Sequence, residues 1–441
     1  MSRDESPLFK PLAIGPLTIP GRVIKSATSE TRATADGFVT PQLIDFYEPM
    51  ARSGVPLIIS GNLYTSLDGR STPRQLGADD DRKIPALKQL VDAVHLHGTR
   101  IFAQISHAGR QLVPGFAGVS EAVSASDVTD RSSGTRPRPL SAAEVTHVIE
   151  QFGQAAARCQ QAGFDGVQIH AGHGYLVNQF LTPYTNKRTD EYGGSFENRL
   201  RFLRDIYRAI RARVGAAYPI IVKLNGSDYL PLRPGLKTPE LVQIAQIMEQ
   251  EGVAAVEVSV GHYESGFPIV RGTFWRCMSG MRHGSVQHYP PSRRMGFSMM
   301  WPLVALVSNV LWRPREGFNL QYARHFKHAL SIPVICVGGF LTRPAMESAV
   351  EQGFCDAVSA GRAFIADPLL YRHLREGTSG PRCTDCNACV GVIGMQPIDC
   401  YHPRVRAEKD AMLAAWARTA PSTTSEAASS NAAHFASQTK R

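Results

Sequence analysis

The sequence predicts an α/β protein with a (β/α)8 barrel, in which eight parallel strands close into a cylinder surrounded by helices. Three observations support this fold. Short apolar or β-branched runs recur eight times, helical patterns lie between most of them, and polar residues follow the runs. Near-continuous apolar strands are typical of parallel sheets covered on their outer face. The rival fold, an open doubly wound sheet, normally carries a Gly-x-Gly-x-x-Gly turn after a strand, and the sequence lacks one.

The predicted strands are spread along most of the chain. In order they are 22–30, 56–62, 100–107, 165–171, 219–225, 254–261, 333–339 and 356–362. Stretches such as IPALKQLVDAVHLHG and VIEQFGQAAARCQQAG place their apolar residues on one face of a helix. In barrels of this kind, catalytic groups lie where the strands end. The polar residues at these ends therefore predict an active site.

Two regions extend the predicted barrel, which we expect to span residues 1–377. A long insert, 262–318, separates strands six and seven and carries seven arginines and two acidic residues. It is open whether this insert is a lid over the site, a segment that contacts a membrane surface, or a helical insert packed on the barrel. Residues 378–405 form a Cys-rich extension, and 406–441 are expected to contain a short helix followed by a disordered tail.

Composition and charge narrow the class of protein. The 441 residues are 43% hydrophobic and 20% charged, as in ordinary globular enzymes. The net charge of +10 suggests an anionic partner, but the basic residues form no tract of the kind that follows a phosphate backbone, so nucleic acid is not indicated. The sequence begins with no signal pattern, and no uninterrupted apolar run reaches the length of a spanning helix. We therefore expect a cytoplasmic protein.

The segment after the fourth predicted strand carries the most chemistry, in GFDGVQIHAGHGYLVNQFLTPYTNKRTDEYGGSFENRLRFL. Two imidazoles at His170 and His173 suit one carbonyl oxygen, because both rings donate hydrogen bonds and would polarise an activated double bond. A metal site is the weaker interpretation, since no third ligand accompanies them at a suitable spacing. Tyr175 is either the proton donor of such a reaction or a residue that packs beneath the histidines.

Other strand ends predict contacts with a bound ring and with its phosphate. Gln104 and Lys223 end strands three and five, where an amide and a cation would face a ring system that carries carbonyls and nitrogens. The glycines that follow strands seven and eight let backbone N–H groups approach a phosphate. The residues concerned are Gly338, Gly339, Gly361 and Arg362.

Four of the eight cysteines are concentrated in RCTDCNACVGVIGMQPIDC. Cys383, Cys386, Cys389 and Cys400 have the number and proximity of ligands that a [4Fe–4S] cluster requires. Structural zinc and reduced cysteines without a metal are the alternatives. The other four cysteines are scattered among apolar stretches and are expected to be buried thiols.

These motifs together resemble the old yellow enzyme family of FMN-dependent oxidoreductases. HAGHGYLVNQFLTPYTNKRTDEYGGSFENRLRF resembles its longest signature, and QISHAGRQ at 104–111 resembles a second. GRVIKSATSETRATADGFVT, LNGSDY, PVICVGG and SAGRAFIADP lie in the right order around them. The resemblance covers roughly residues 7 to 375.

The resemblance implies a TIM barrel with FMN at its mouth, reduced by NADH or NADPH and reoxidised by an activated, α,β-unsaturated alkene. His170 and His173 match the pair that grips the substrate oxygen, and Tyr175 matches the proton donor. The residues that match or lie beside the family's flavin contacts are Ser29, Gly61, Gln104, Lys223, Gly338, Gly339, Gly361 and Arg362. The function so implied is that of an NAD(P)H-dependent ene-reductase.

Two alternatives remain open from the sequence. Some relatives, similar to dienoyl-CoA reductases, add an iron–sulfur cluster, so the chain is alternatively an iron–sulfur dienoyl-thioester reductase or a demethylase-like member. Its third cysteine comes one residue earlier than in that group. The second alternative, from a different class, is a flavin-binding module without catalysis.

Overall fold

The computed structural model describes residues 6–230, 232–265 and 268–419, so the disordered tail predicted near the end of the chain lies outside the described residues. In chain order, the strands are β1 (Leu12–Ile14), β2 (Leu17–Ile19), β3 (Val23–Lys25), β4 (Leu57–Tyr64), β5 (Arg100–Ser106), β6 (Val123–Ser124), β7 (Arg138–Pro139), β8 (Gly166–His170), β9 (Ile220–Asn225), β10 (Ala255–Ser259), β11 (Val334–Val337) and β12 (Ala357–Ala360).

The helices are also given in chain order. They are α1 (Pro41–Arg52), α2 (Ile84–His95), α3 (Ala142–Gln161), α4 (Leu176–Leu181), α5 (Phe196–Val214), α6 (Thr238–Glu251), α7 (Trp275–His283), α8 (Pro291–Leu311), α9 (Leu320–Ala329), α10 (Arg343–Glu351), α11 (Arg362–Ala366), α12 (Leu370–Glu376), α13 (Ala388–Gly391) and α14 (Pro403–Thr419). Short 3₁₀ turns occur at Pro7–Phe9, Leu67–Gly69, Asp81–Lys83, Gly109–Gln111, Tyr263–Ser265 and Ser285–His288.

Eight parallel strands close into a barrel in the order β3, β4, β5, β8, β9, β10, β11 and β12, and β12 pairs with β3. Each of these strands coincides with one of the eight apolar runs, and helices pack outside them. The predicted (β/α)8 barrel is therefore confirmed. The small antiparallel hairpin of β1 and β2 lies outside the barrel sheet.

The side-chain alternation of the strands divides the barrel interior into an apolar floor and a polar layer. On β9, Ile221 belongs to the inner apolar cluster, whereas Val222 packs between the strands and the helices. Because successive side chains point to opposite faces, Lys223 returns to the interior one layer higher. On β10, Ala255 and Glu257 repeat this order, from apolar floor to charged layer.

The floor is closed from below by the hairpin of β1 and β2. Leu12, Ile14 and Ile19 join Phe102 and Ile221 in the inner apolar cluster. This hairpin precedes the first barrel strand and fills the amino-terminal end of the cylinder. The open end is therefore the carboxyl-terminal mouth, where the functional residues were predicted.

The insert after β10 contains α7 and α8, which pack on each other through Phe274, Cys277, Met278 and Ala305. Within the described residues, α8 is the one helix that is long and apolar enough to cross a membrane by length and composition. From the sequence, no uninterrupted apolar run of spanning length was identified, and Gly, Ser and Pro do interrupt the apolar residues of α8 without ending the helix.

The Cys-rich extension returns to the barrel and to the insert. The amide of Ile398 donates to the Glu30 carbonyl at 2.8 Å, and Arg32 donates to the Ile398 carbonyl at 2.7 Å. On the other side, the amide of Thr273 donates to the Asp385 carbonyl at 2.8 Å. The extension thus connects the loop after β3 to the beginning of the insert. Helix α14 follows it.

Candidate active site

The predicted histidines and tyrosine lie together at the barrel mouth. His170 is the last residue of β8, and its ring meets that of His173 edge to face with centroids 5.1 Å apart. The ring of Tyr175 lies 4.6 Å from that of His170. His170 is buried, whereas His173 and Tyr175 are half-buried. The three side chains therefore form one cluster between the polar layer and the solvent.

The backbone of His173 adopts an uncommon conformation that aims its ring into the mouth. Its φ is 58°, in the left-handed region that non-glycine residues rarely occupy. The Asn225 side chain at the end of β9 accepts a hydrogen bond from its amide at 3.1 Å. Its carbonyl accepts one from the Tyr263 amide, also at 3.1 Å. The neighbouring elements therefore hold a conformation that the residue would not prefer by itself.

Hydrogen bonds leave one nitrogen of each imidazole available to a ligand. The Gly172 amide donates to Nδ1 of His170 at 3.4 Å, which assigns the ring proton to Nε2. The Ser259 hydroxyl lies 2.7 Å from Nε2 of His173, so Nδ1 is the nitrogen of that ring left for a ligand. Both rings can thus direct an N–H group to the same ligand oxygen.

Burial keeps the cluster uncharged near neutral pH. It lowers the pKa of His170 well below its usual value, and the neighbouring His173 and Lys223 lower it further. Burial, with Lys223 and His262, lowers the pKa of His173 to about 3. Burial also raises the pKa of Tyr175 above its usual value. The site therefore presents two neutral imidazoles and a protonated phenol.

Beneath this cluster, polar side chains from four strands form a continuous layer. Gln104 donates to the Gln168 side-chain oxygen at 2.6 Å, and Gln168 donates to Oε2 of Glu257 at 2.9 Å. The ammonium of Lys223 lies 3.1 Å from the same oxygen. The strand register explains this contact, since Lys223 is directly opposite Glu257 on one side and His170 on the other.

Glu257 is the centre of the layer, and sequence reasoning assigned it no role. It is completely buried, and its second oxygen accepts hydrogen bonds from Ser26 at 2.9 Å and Ser359 at 2.6 Å. Burial by itself raises the pKa of this carboxyl. The charge of Lys223 and the bonds from Ser359 and Gln168 outweigh that effect and lower the pKa below its usual value. Glu257 is therefore an ionised carboxylate with four donors, as a buried charge requires.

A second buried pair, Lys25 and Glu30, was also missed. Lys25 is fully buried, lies 3.9 Å from the Glu30 carboxylate and donates to Thr28 at 2.8 Å. Burial lowers the pKa of Lys25 to about 8 and raises that of Glu30. The sequence did contain a sign of both buried charges. Each is a charged residue inside an apolar run, VIK for Lys25 and VEV for Glu257.

Gly61 was predicted to contact a cofactor, and the structure places it against Glu30. Its amide donates to the Glu30 carboxylate at 2.6 Å, and Tyr47 donates to the same oxygen. A Cβ atom at Gly61 would lie 1.7 Å from the other carboxylate oxygen, so only glycine fits. Ser29, the other predicted contact of this region, is half-buried in the loop after β3.

A buried ion pair anchors the start of the insert beside the site. Arg110 is completely buried and lies 2.7 Å from the Glu264 carboxylate, and Arg233 contacts the other oxygen of that carboxylate. His262 is also buried, and its ring would collide with a Cβ atom at Gly174. Arg110 belongs to the second signature segment, but no ion pair was predicted for it.

The residues predicted for a phosphate lie on the adjoining ends of β11 and β12. Gly338 and Gly339 follow β11, and Gly361 and Arg362 follow β12. Gly339 has a φ of 71°, a conformation that glycine adopts without strain. These four residues remain predicted phosphate contacts, brought to one edge of the mouth by the pairing of the two strands.

Arg362 is also bound by the Cys-rich extension. Its guanidinium lies 3.1 Å from the Asp385 carboxylate and donates to the Asn387 side chain at 2.5 Å. Burial raises the pKa of Asp385, and the charge of Arg362 opposes that rise. The extension therefore contributes directly to the edge of the mouth.

Three of the four extension cysteines share one apolar cluster, namely Cys383, Cys389 and Cys400. Burial raises the pKa of the Cys383 thiol to about 11 and that of Cys389 to about 12. Within the described ranges, no group of three or more His, Cys, Asp or Glu side chains is arranged to hold a metal ion. A metal bound by these cysteines and Cys386 therefore stays a prediction.

The chemistry of the polar layer fits a flavin ring at the mouth. An ammonium group has three N–H donors, and Glu257 and Ser26 accept two of those of Lys223. One donor of Lys223 is thus left for a ligand, in the same hydrogen-bonded layer as Gln104. A fixed cation and an amide are suitable partners for a ring edge that carries carbonyls and nitrogens.

Comparison with known proteins agrees with this geometry. Residues 7–274 match the model of the NADH:flavin oxidoreductase / NADH oxidase family. A protein of Thermoanaerobacter brockii named NADH oxidase is 35% identical over 388 residues, which are 87% of this chain and 53% of that protein. The chain thus spans about half of the length of this relative.

Solved structures show the same barrel. A 2-naphthoyl-CoA reductase in complex with 2-naphthoyl-CoA superposes with a TM-score of 0.74 and 28% identity, covering 91% of this chain and 58% of that one. An old yellow enzyme homologue from Zymomonas mobilis, 24% identical, shares the fold with a TM-score of 0.67 over 91% of this chain and 99% of its own. The family model and the relative agree, and the chain belongs to the NADH:flavin oxidoreductase / NADH oxidase family, with the barrel fold of the old yellow enzyme homologue.

Proposed function

We propose that this flavin oxidoreductase is an ene-reductase that uses NADH or NADPH to reduce an activated, α,β-unsaturated alkene. The observation that carries the proposal is the cluster of His170, His173 and Tyr175, uncharged and placed directly above the polar layer. The chemistry of FMN, when bound, is to take hydride from the nicotinamide and pass it to the substrate. The remaining tasks belong to the side chains.

The two histidines bind and polarise the substrate. Nε2 of His170 and Nδ1 of His173 are the nitrogens left for a ligand, and each donates to the carbonyl or nitro oxygen of the alkene. Negative charge accumulates on that oxygen as hydride reaches the β-carbon, and donors fixed in a dry site stabilise it. Because both rings are neutral, they bind a neutral substrate without first losing a proton.

Tyr175 supplies the proton to the α-carbon. Burial and the neighbouring Tyr263 keep its phenol protonated, and it stands beside His170 over the same substrate position. A general acid that is already in place needs no water in the site. Its absence is expected to slow the reaction more than it weakens substrate binding.

Gln104 and Lys223 hold the ring of the cofactor, and the glycines with Arg362 hold its phosphate. The third N–H donor of Lys223 is the one left for the ring, and Glu257 fixes the position of the ammonium group. A positive charge at this place favours the reduced ring, which gains negative charge. Glu257 is a positioning residue in this scheme.

A conjugated acyl thioester is a second candidate substrate class. The superposed reductase was solved with 2-naphthoyl-CoA, which is such a thioester. The insert begins at the carboxyl-terminal end of β10 and carries seven arginines, which suit the phosphates of an acyl carrier. This candidate uses the same histidine pair, because a thioester carbonyl replaces the ketone oxygen.

The first test identifies the cofactors and the turnover. Protein purified without oxygen is analysed by ultraviolet–visible absorbance, by the mass of the released cofactor and by iron and zinc content. Oxidation of NADH and NADPH is then followed with a cyclic enone and with an unsaturated acyl-CoA. Turnover with either supports the proposal and selects the substrate class. FMN without turnover leaves a noncatalytic flavin module, and about four irons per chain favour the iron–sulfur alternative.

The second test separates the substrate residues from those that hold the cofactor. The double variant His170→Ala, His173→Ala is expected to keep FMN and to bind a phenol inhibitor at least roughly tenfold more weakly, since two hydrogen bonds are lost. The matched control is His147→Ala, an exposed histidine on α3. Loss of FMN from the double variant, with FMN retained in the control, contradicts the assignment.

A further inference from the structure

The outward face of α8 is apolar from Met295 to Leu311, after a first turn that carries Ser292, Arg293 and Arg294. Large apolar side chains exposed at this face are Met295, Met299, Met300, Leu303, Val304, Leu306, Val307, Val310 and Leu311. They are nine of the sixteen exposed large apolar side chains among the described residues. Surface helices of globular proteins normally direct polar residues to solvent. A continuous apolar patch of this kind indicates an interaction surface.

The opposite face of α8 is already used for packing. Phe297, Trp301 and Ala305 lie four residues apart, Trp312 follows seven residues later just after the helix, and all four belong to the cluster shared with α7. The amide of Phe274 donates to the Asn309 side chain at 2.7 Å, which fixes the rotation of the helix. Among the residues that the structure describes, the apolar side chains on the outside of α8 therefore belong to no intramolecular core.

Both ends of α8 are attached to the same body, so the helix lies along the surface. Near its beginning, Arg293 donates to the Arg131 carbonyl at 3.1 Å. Just after its end, the Trp312 carbonyl accepts a hydrogen bond from Gly272 at 2.8 Å. A spanning orientation would place these ends on opposite sides of a bilayer and break one of the attachments. The geometry fits a helix that lies in the plane of an interface.

The insert that carries this face is positively charged. The insert carries arginines at 271, 276, 282, 293, 294, 313 and 315 and acidic residues only at 264 and 316. Glu264 is buried between Arg110 and Arg233, and the Glu316 carboxylate accepts bonds from the amides of Leu341 and Thr342. Both acidic side chains are thus occupied within the protein, which leaves the arginines to dominate the exposed charge.

An open depression of about 500 Å³ lies at the beginning of the apolar face. Its lining includes Arg282, His283 and Arg294 together with Met295. Two guanidinium groups beside an apolar side chain are suited to an anionic group joined to a hydrocarbon chain. The headgroup phosphate of a phospholipid has this combination.

We propose that α8 docks the protein onto a membrane surface that contains anionic phospholipid. The apolar face of α8 enters the boundary between headgroups and acyl chains, and the arginines bind headgroup phosphates. A second copy of the chain fits this surface less well, because a symmetric contact would bring two identical sets of arginines together. Apolar area and basic charge each favour binding to a lipid interface. Helix α8 combines the two, since it carries the apolar face together with Arg293 and Arg294.

Co-sedimentation of the purified flavoprotein with vesicles tests this proposal. Vesicles of phosphatidylcholine with phosphatidylglycerol are compared with vesicles of phosphatidylcholine alone. We expect binding to the anionic vesicles that weakens as NaCl is raised. Trp275 is 45% exposed beside Trp301, so its fluorescence is expected to shift to shorter wavelength when lipid is added.

Variants assign the binding to the proposed face. Leu303→Glu with Val307→Glu places two charges on the outward face and is expected to weaken binding roughly tenfold or more. Arg282→Ala with Arg294→Ala is expected to reduce binding to anionic vesicles. The matched control is Leu96→Glu, since Leu96 is 51% exposed at the end of α2, away from the insert. The control is expected to bind as the unaltered protein does.

Three outcomes overturn the proposal. The first is no sedimentation with anionic vesicles, and the second is unchanged binding by the Leu303→Glu, Val307→Glu variant. The third is a dimer, measured by sedimentation velocity without lipid, that this variant converts to monomers while vesicles have no effect. That result would assign the face to contact between copies. Flavin absorbance and circular dichroism are recorded for each variant, so that misfolding is distinguished from loss of binding.

Discussion

Replacing Glu257 with Gln is expected to destabilise the barrel strongly, although the two side chains have nearly the same shape. The carboxylate is fully buried and has four donors around it. Gln places an amide N–H₂ group against the side-chain amide of Gln168 at 2.9 Å and the ammonium of Lys223 at 3.1 Å, or against the two serine hydroxyls. In the first orientation donors would face donors, in the second the serine hydroxyls would have to turn and accept, and in both Lys223 would lose its counter-charge.

The magnitude follows from the number of bonds lost. Two hydrogen bonds to a charged group contribute about 1.5 to 3 kcal/mol each, so the free energy of unfolding should fall by about 3 to 6 kcal/mol. Removing one partner of a buried ion pair gives a similar figure of about 3 to 5 kcal/mol. Urea unfolding at saturating FMN measures this loss, and flavin fluorescence measures the affinity for FMN separately.

Two comparisons make the measurement specific. The double variant Glu257→Gln, Lys223→Met removes the unpaired cation and should recover at least about 1 kcal/mol relative to Glu257→Gln alone. The control is Asp92→Asn, because Asp92 and Lys88 form an ion pair 2.6 Å apart on the surface of α2. That change should cost at most about 0.5 kcal/mol. A loss below about 1 kcal/mol for Glu257→Gln would refute the central position given to this residue.

Three further predictions concern the site. Tyr175→Phe should leave enone binding nearly unchanged and slow the oxidative half-reaction about 10²-fold or more, which stopped-flow absorbance measures; an unchanged rate would exclude Tyr175 as the acid. Affinity for a phenol inhibitor should be constant from about pH 7.5 to about pH 5, because the lowered pKa values keep His170 and His173 neutral, whereas a transition near the usual histidine pKa would contradict their burial. Gly61→Ala should lower the free energy of unfolding measured in urea, because the added carbon would lie 1.7 Å from the Glu30 carboxylate; stability equal to that of a Gly296→Ala variant, whose added carbon meets no atom within 4 Å and whose φ is not positive, would disprove this.

The barrel was predictable from the sequence, and so was the set of segments that lie at its mouth. The apolar runs defined the strands, and parallel strands necessarily place their carboxyl ends on one side. His170, Gln104 and Lys223 were predicted to lie at the mouth because each is at the carboxyl end of a predicted strand. The order of the motifs along the chain indicated the family, whereas the role of the insert was left open between a lid, a membrane contact and helices packed on the barrel.

Other features could not be predicted because they depend on strand register and on contacts far apart in sequence. Glu257 lies opposite Lys223 only in the closed sheet, and a single acid within an apolar run does not reveal its partner. The ion pair of Arg110 with Glu264 joins residues 154 positions apart. The bonds from Arg362 to Asp385 likewise require the extension to fold back onto the barrel.

The return of the Cys-rich extension to the barrel affects how the chain can be divided. Asp385 neutralises Arg362, the Asp385 carbonyl holds the Thr273 amide, and Ile398 is bonded to the loop after β3. A barrel ended at residue 377 would expose an arginine without its counter-charge and free the start of the insert. The barrel and the extension should therefore be treated as one unit in protein engineering. A chimera made from two relatives should exchange both segments together.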